Sequence, residues 1–342
     1  MKNLFEKLIV NPTKKIYENK NYKFLKNKTI LITGSTGLIG QFFFSFFYHS
    51  LQSKFQPKRI DLIHKNKLAN YFKFYAKNKK INFIKKDITN KNFKPNNYDY
   101  IIHLSSYGQP LKFMKKPLET FELNTSVLKK LLEKTNKKGS FLFLSTSEVY
   151  SGINKQNYEY KIGNTNTNHL RACYIQSKLA GETLINIYKE KFKLNAKSVR
   201  LCLAYGPGNK IRDKRVLYQF IEKALIKSKI NMLDSGLEKR SYIYILDAIE
   251  MLINILFKGK GDIYNVGGKE IINVHFLAKE IAKLTKAKLI IPPKKKSNMG
   301  APKRATVSIK KYENEFGKKN LIKLKTGLKL TLEWQKKLYR YN

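Results

Sequence analysis

The sequence predicts an α/β fold, a doubly wound parallel sheet followed by a smaller C-terminal domain. Three observations carry this. Short β-branched runs alternate with amphipathic stretches of helical length between Thr29 and Leu203, the rhythm of a parallel sheet covered by helices on both faces. The first run ends in a glycine-rich turn that opens a helix. Beyond Tyr205-Gly-Pro-Gly208 the rhythm loosens into shorter elements, which marks a change of domain.

In chain order, residues 1–25 read as a polar N-terminal leader with a short apolar patch at Leu8-Ile9-Val10, far short of a signal-peptide core. Residues 26–204 hold the predicted sheet. Its strands are Thr29–Ile32, Arg59–Ile63, Ile81–Ile84, Tyr100–Leu104, Phe141–Ser145 and Lys197–Leu203, each a short apolar run of the kind buried in a parallel sheet. Helices are expected up to Leu51 and over Leu118–Lys134 and Tyr174–Lys191. The longest apolar stretch, Phe42 to Tyr48 with Ser45 inside it, is too short to cross a bilayer and reads as a buried helix. Residues 205–342 are expected to carry helices at Val216–Lys227, Leu246–Phe257 and Phe276–Leu284 and a strand near Asp262–Val266. Some of these segments should return to the sheet edge.

Composition restricts the class. Lys and Arg number 69 against 24 Asp and Glu, a formal net charge of +45. Such an excess ordinarily suggests a nucleic-acid or anionic-membrane partner. Here it is almost all Lys, spread from Lys2 to Lys337 and accompanied by abundant Asn, Ile, Tyr and Phe, the residues of A- and T-rich codons. Compositional drift therefore explains it, and neither a specific nucleic-acid partner nor membrane insertion is expected. Lys294-Lys295-Lys296, the one dense run, reads as a solvated loop. Two cysteines, Cys173 and Cys202, without metal-ligand spacing around them, point to a cytoplasmic protein with no disulfide framework and no metal.

Three segments carry chemistry. In Thr33-Gly34-Ser35-Thr36-Gly37-Leu38-Ile39-Gly40 the glycines follow the first strand directly. They permit a tight turn and close approach of backbone N–H groups to a pyrophosphate at a helix N-terminus. The spacing, G-x-x-G-x-x-G, departs from the dehydrogenase G-x-G-x-x-G. Ser145-Thr146-Ser147-Glu148 follows the fifth strand, and strand C-termini line the ligand crevice of such sheets. Tyr174 and Lys178 stand at i, i+4 on a predicted helix. A nearby cation lowers a phenol's pKa and makes it a usable general base. Alone, the second segment also fits a Ser/Thr-rich cap and the third a surface helix pair.

Together these motifs resemble the extended short-chain dehydrogenase/reductase family, the NAD-dependent epimerase/dehydratases, over roughly residues 26 to 335. Asp87-Ile88, Ile101-Ile-His-Leu-Ser105, Asn124, Tyr205-Gly-Pro-Gly208 and Tyr264-Asn-Val-Gly267 support the likeness. Within the family the chain looks most like the UDP-glucuronate decarboxylases, through Ser145–Tyr150, Arg171-Ala-Cys-Tyr174, Arg215-Val216, Lys239-Arg-Ser241 and Pro110–Met114. The resemblance implies a Rossmann-like NAD-binding domain and a C-terminal substrate-binding domain. NAD would lie against Gly34, Thr36, Gly37, Leu38, Ile39, Gly40, Asp87, Ile88, Leu104, Ser105, Asn124, Tyr174 and Lys178. Thr146, Glu148, Tyr174 and Lys178 would be catalytic, and Ser147, Arg215, Arg240 and Arg304 would bind a nucleotide-diphosphate sugar, UDP-linked in this subgroup. Arg suits a diphosphate because its fork donates bidentately and stays charged. A homodimer through the helices starting near Leu118 and Tyr174 is also implied.

The implied reaction oxidises the sugar at carbon 4, loses the carboxylate of the 4-keto sugar as carbon dioxide, and reduces the ketone again. A 4,6-dehydratase and a 4-epimerase share the first step; Ser147, where many dehydratases carry Asp, disfavours the dehydratase. A non-catalytic NAD(P)-binding regulator is the rival from another class, and the intact Thr146, Tyr174 and Lys178 set argues against it. Three positions depart from the pattern. The second strand ends Ile63-His64-Lys65-Asn66 rather than in an acid, with Asp61 inside it, which leaves NADP open beside NAD. Leu203 stands where relatives commonly have a substrate-contacting Asn, and Ser105–Gln109 differs from the decarboxylase loop.

Overall fold

The apolar runs become one seven-stranded sheet in the computed structural model of the protein, which describes residues 1–292, 302–317 and 320–340. The strands in chain order are β1 (Thr29–Thr33), β2 (Arg59–His64), β3 (Ile81–Lys85), β4 (Tyr98–His103), β5 (Thr135–Thr146), β6 (Ala196–Leu201), β7 (Leu203–Tyr205), β8 (Lys229–Asn231), β9 (Lys239–Tyr244), β10 (Ile263–Val266), β11 (Ile271–Asn273), β12 (Lys288–Ile290) and β13 (Arg304–Ala305). The large sheet runs β10-β6-β5-β4-β1-β2-β3, parallel throughout. Strand order reverses between β1 and β4, so a crevice opens beyond their C-terminal ends, where doubly wound sheets bind ligands. The predicted strand near Asp262–Val266 returns to this sheet as its edge, beside β6.

Helix Leu38–Ser50 is buried on nearly every side, Phe42, Phe43, Phe44, Phe46 and Phe47 included. A helix of that kind needs cover on both flanks. The sheet covers one. The N-terminal leader, helical over Lys2–Phe5, Glu6–Val10 and Asn11–Glu18, contributes buried Phe5, Leu8, Ile9 and Val10 to the other. Two polar contacts fix this docking: the Thr13 and Ser45 hydroxyls lie 2.5 Å apart, and His49 Nε2 donates to the Val10 carbonyl at 2.8 Å. The leader is thus part of the core.

Two predicted elements divide. The Leu118–Lys134 stretch forms Pro117–Asn124 and Ser126–Leu132, separated at Thr125, whose φ of −126° and ψ of −84° are not helical. The Lys197–Leu203 run is cut at Cys202: β6 stays in the large sheet while β7 leaves it to pair with β9. Strand β9 also takes β11 antiparallel and β13 parallel, and β8 pairs with β12. These short strands and helices Val216–Lys227, Ile245–Lys258, Val274–Thr285 and Leu324–Arg340 build the C-terminal part. The Lys294–Lys296 run lies outside the described residues.

Candidate active site

A cleft of about 790 Å³ runs along the C-terminal ends of the large sheet and is closed on its far side by the C-terminal part. Its floor is the glycine turn. Gly34 adopts φ +68°, and a Cβ there would stand 3.0 Å from the Leu104 carbonyl carbon and the Ser105 nitrogen. At Gly40 a Cβ would come within 2.5 Å of the Gly34 carbonyl oxygen. The turn packs against the end of β4 and against its own helix at distances only glycine permits. Gly37 caps helix Leu38–Ser50 with extended backbone, turning that N-terminus toward the cleft. This cradle fits a dinucleotide pyrophosphate. Thr36, Leu38, Ile39, Asp87, Ile88, Leu104 and Ser105 also line it.

Behind the turn, the Thr33 hydroxyl lies 2.8 Å from His103 Nδ1, and the Leu104 and Ser105 amides donate to the same oxygen. His103 Nε2 donates to the Leu123 carbonyl at 2.8 Å, and complete burial pushes the imidazole down to about 3. His103 is therefore a neutral brace between β1, β4 and the helix that ends at Asn124.

Helix Ala172–Phe192 projects Tyr174 and Lys178 into the cleft beside Thr146 at the end of β5. Burial foremost, and the charge of Glu148, push the Tyr174 phenol up to about 12, while a hydrogen bond with Thr146 and the charges of Arg171 and Arg215 work the other way. Burial brings Lys178 down to about 7, opposed by Glu182 one turn further on. Lys178 Nζ donates to the Leu144 carbonyl at 2.6 Å and lies 5.9 Å from the Tyr174 ring centre. Glu182 is itself fixed by the Ser145 hydroxyl at 2.5 Å and by both Nε and Nη2 of the buried Arg200.

Glu148 accepts two hydrogen bonds from Arg171, Nε to Oε2 at 2.9 Å and Nη2 to Oε1 at 2.5 Å, and its amide donates to the Thr146 hydroxyl. Arg171 is 5% exposed. Phe113, on helix Pro110–Lys115, stacks on Tyr174 with ring centres 4.6 Å apart and planes 3° off parallel, and the Arg171 guanidinium lies 5.3 Å from the same ring. Both residues occur in segments the sequence singled out, Arg171-Ala-Cys-Tyr174 and Pro110–Met114, but neither was assigned a role. Only tertiary packing shows that they meet.

Of the anion-binding candidates, Arg215 and Arg240 reach the cleft together with Ser147. Arg215 bonds Asp213 through Nε and Nη2 and Asn209 through Nη2, and Gln109 donates to Asp213 at 2.7 Å from the opposite wall. Arg240, half-buried on β9, feels the charge of Glu148. Two candidates are not brought to the cleft wall. Arg304 pairs with Lys239 in register, whereas its neighbour Ala305 pairs with Arg240 and lines the cleft. Alternation along β13 therefore turns Arg304 away, and its Nε donates to Thr306. Asn124 is fully buried, its Nδ2 donating to Ser177 Oγ and the Thr120 carbonyl, so it anchors the Tyr174 helix from behind. Leu203 does line the cleft.

A glycine cradle, a Tyr–Lys pair beside a strand-end hydroxyl and a cationic far wall define a dinucleotide-dependent enzyme. Residues 30–267 match the NAD dependent epimerase/dehydratase family, and the chain belongs to it. The chain is 27% identical over 325 residues to UDP-glucuronic acid decarboxylase 6 of Arabidopsis thaliana, covering 92% of this chain and 91% of that one. It is 29% identical over 288 residues to dTDP-D-glucose 4,6-dehydratase of Dictyostelium discoideum, covering 75% and 64%. Its fold matches the UDP-glucuronic acid 4-epimerase of Bacillus cereus solved with UDP-glucuronic acid and NAD, with a TM-score of 0.76, 23% identity and coverage of 91% and 100%. The protein is an NAD-dependent enzyme of the nucleotide-sugar-modifying kind. Among the described residues no helix is long and apolar enough to cross a membrane, and no cluster of side chains could hold a metal ion.

Proposed function

We propose that the protein decarboxylates UDP-glucuronate to UDP-xylose through a 4-keto sugar. The observation that carries this is the Arg171–Glu148 pair. A 4,6-dehydratase needs Glu148 to take the carbon 5 proton, yet here both carboxylate oxygens are held by a buried guanidinium, and protonating one would break the pair. Decarboxylation needs no base at carbon 5, because the carbon–carboxylate bond supplies the electron pair. Arg171, Arg215 and Arg240 around the sugar end suit a substrate carrying a carboxylate and a diphosphate. The likeness to decarboxylases over most of both chains agrees.

Bound NAD supplies a hydride acceptor, and later a donor, for carbon 4. The chain does the rest. Tyr174, hydrogen-bonded with Thr146, takes the 4-hydroxyl proton, and the cation of Lys178 favours the phenolate. Carbon dioxide leaves the β-keto acid, a proton from solvent water enters at carbon 5 on the side of Glu148 and Arg171, and Tyr174 returns its proton to the reduced oxygen. Incubation with a panel of nucleotide sugars, followed by mass spectrometry, tests this. Loss of carbon dioxide from UDP-glucuronate is expected. Loss of water from a neutral hexose, or epimerisation without mass change, overturns it.

The active unit in this proposal is a homodimer. Leu118 and Phe121, one turn apart on helix Pro117–Asn124, and Ile187 on helix Ala172–Phe192, which packs against it, lie exposed, apolar side chains of the kind that self-association covers.

A further inference from the structure

We propose that the adenosine-ribose end of the cleft accepts a 2′-phosphate through Lys65, so that the enzyme binds NADP(H) as well as NAD(H), with Glu119 setting the balance between them. In NAD-selective sheets an acid at the end of the second strand accepts the ribose hydroxyls, and its charge opposes a phosphate at the same place. No acid does this here. Asp61, the carboxylate in β2, is 3% exposed and points away from the cleft, accepting from the Tyr98 hydroxyl at 2.6 Å and Asn82 Nδ2 at 2.8 Å while paired with Arg59. The strand instead delivers His64, Lys65 and Asn66 to the cleft wall.

Lys65 is placed for the task. Its Nζ lies 2.6 Å from Asp87 and 3.1 Å from Glu119, with the side chain 45% exposed. An ammonium has three N–H donors, and these two carboxylates occupy two of them. The third direction remains for a phosphate oxygen without dismantling the pairs. Burial works against the charge of Asp87, but Lys65 and Thr89 hold its carboxyl below the usual range. Glu119 is held down to about 2 by Lys116, Tyr107 and Lys65. Both acids are thus anionic at neutral pH and offset Lys65. Lys86, which also lines the cleft at this end, leaves three cations, Lys65, Lys86 and Lys116, against two acids. The excess favours a dianionic phosphate, and Glu119 restrains it.

The inference rests on the cofactor assignment, and binding measurements separate the two. NADH and NADPH are titrated into the full-length protein after removal of any bound nucleotide, read by the fluorescence of the reduced nicotinamide. Wild type should bind NADPH within about tenfold of NADH. Lys65→Ala should weaken NADPH about tenfold more than NADH, the effect of losing one charged hydrogen bond. Glu119→Gln should shift the ratio toward NADPH. A wild-type preference for NADH of a hundredfold or more, or equal losses for both nucleotides in Lys65→Ala, overturns the inference while leaving the cofactor site intact. Failure of both nucleotides to bind wild type overturns the cofactor reading and this inference with it.

Discussion

At the scale of single residues, the Glu148–Arg171 pair makes the reaction class testable. Glu148→Gln keeps the side-chain shape and an oxygen for Arg171 but removes the negative charge that holds Arg171 where the proposed decarboxylation needs its cation. Substrate affinity should change little, while turnover falls on the order of a hundredfold or more. Hydride transfer from carbon 4 precedes any event at carbon 5, so absorbance of reduced nicotinamide should accumulate with a trapped keto sugar. Tyr174→Phe should abolish that signal as well, because the first proton has no acceptor, while cofactor binding survives. A 4-epimerase needs nothing at carbon 5, so stopped-flow traces of near-wild-type turnover in Glu148→Gln would exclude the decarboxylase reading. The phenol's high pKa has a consistent cause. Desolvation leads, Glu148 adds to it, and the positive nicotinamide of the oxidised cofactor would act in the opposite sense.

At the scale of elements, β1, β4 and helix Pro117–Asn124 are tied together through His103, and this tie is acid-labile. Its folded-state pKa is depressed to about 3 by burial, against about 6.5 in an unfolded chain. As pH falls below 6.5 the unfolded chain takes up a proton that the native state refuses, so stability is lost on acidification. Between pH 7 and 5 this single group should cost about 2 kcal/mol. Urea unfolding of wild type and His103→Gln at both pH values measures it; the wild type should lose more over the interval than the variant, and equal losses would refute the assignment. The same elements show what a sequence reveals. The strands of the large sheet and the glycine turn are local patterns, and they stand where the alternation placed them. The three-residue strands β7, β8, β11 and β12 carry too few side chains for a period to register. The direction of Arg304 depends on the register of β13 against β9, and the meeting of Arg171, Glu148, Phe113 and Tyr174 on segments far apart in the chain. Neither is written in spacing. Nor is the role of the leader, because the helix it covers shows only that some cover is needed.

At the scale of the whole molecule two expectations remain. The exposed apolar side chains on helices Pro117–Asn124 and Ala172–Phe192 should make the protein a dimer, and sedimentation showing only monomer at micromolar concentration would contradict it. The net charge of +45 makes a further, opposite kind of claim. A surface so rich in Lys will attract any polyanion at low ionic strength. Such attraction depends on counterion release and carries no sequence information. Sequence readout needs Arg, Asn or Gln set against base edges, or aromatic platforms for unpaired bases, whereas Arg171, Arg215 and Lys65 line the cleft and are paired there with Glu148, Asp213 and Asp87. Binding to DNA or RNA should therefore be measurable in dilute buffer, fall steeply as salt rises to the physiological range, and be indifferent to sequence. The screening length shrinks to about 8 Å there, and exposed charges lose most of their reach while buried pairs such as Arg171–Glu148 are screened far less. Fluorescence anisotropy with two unrelated oligonucleotides across a salt series decides it: a preferred sequence that still binds at physiological salt would mean that the lysines are recognition elements and not compositional drift.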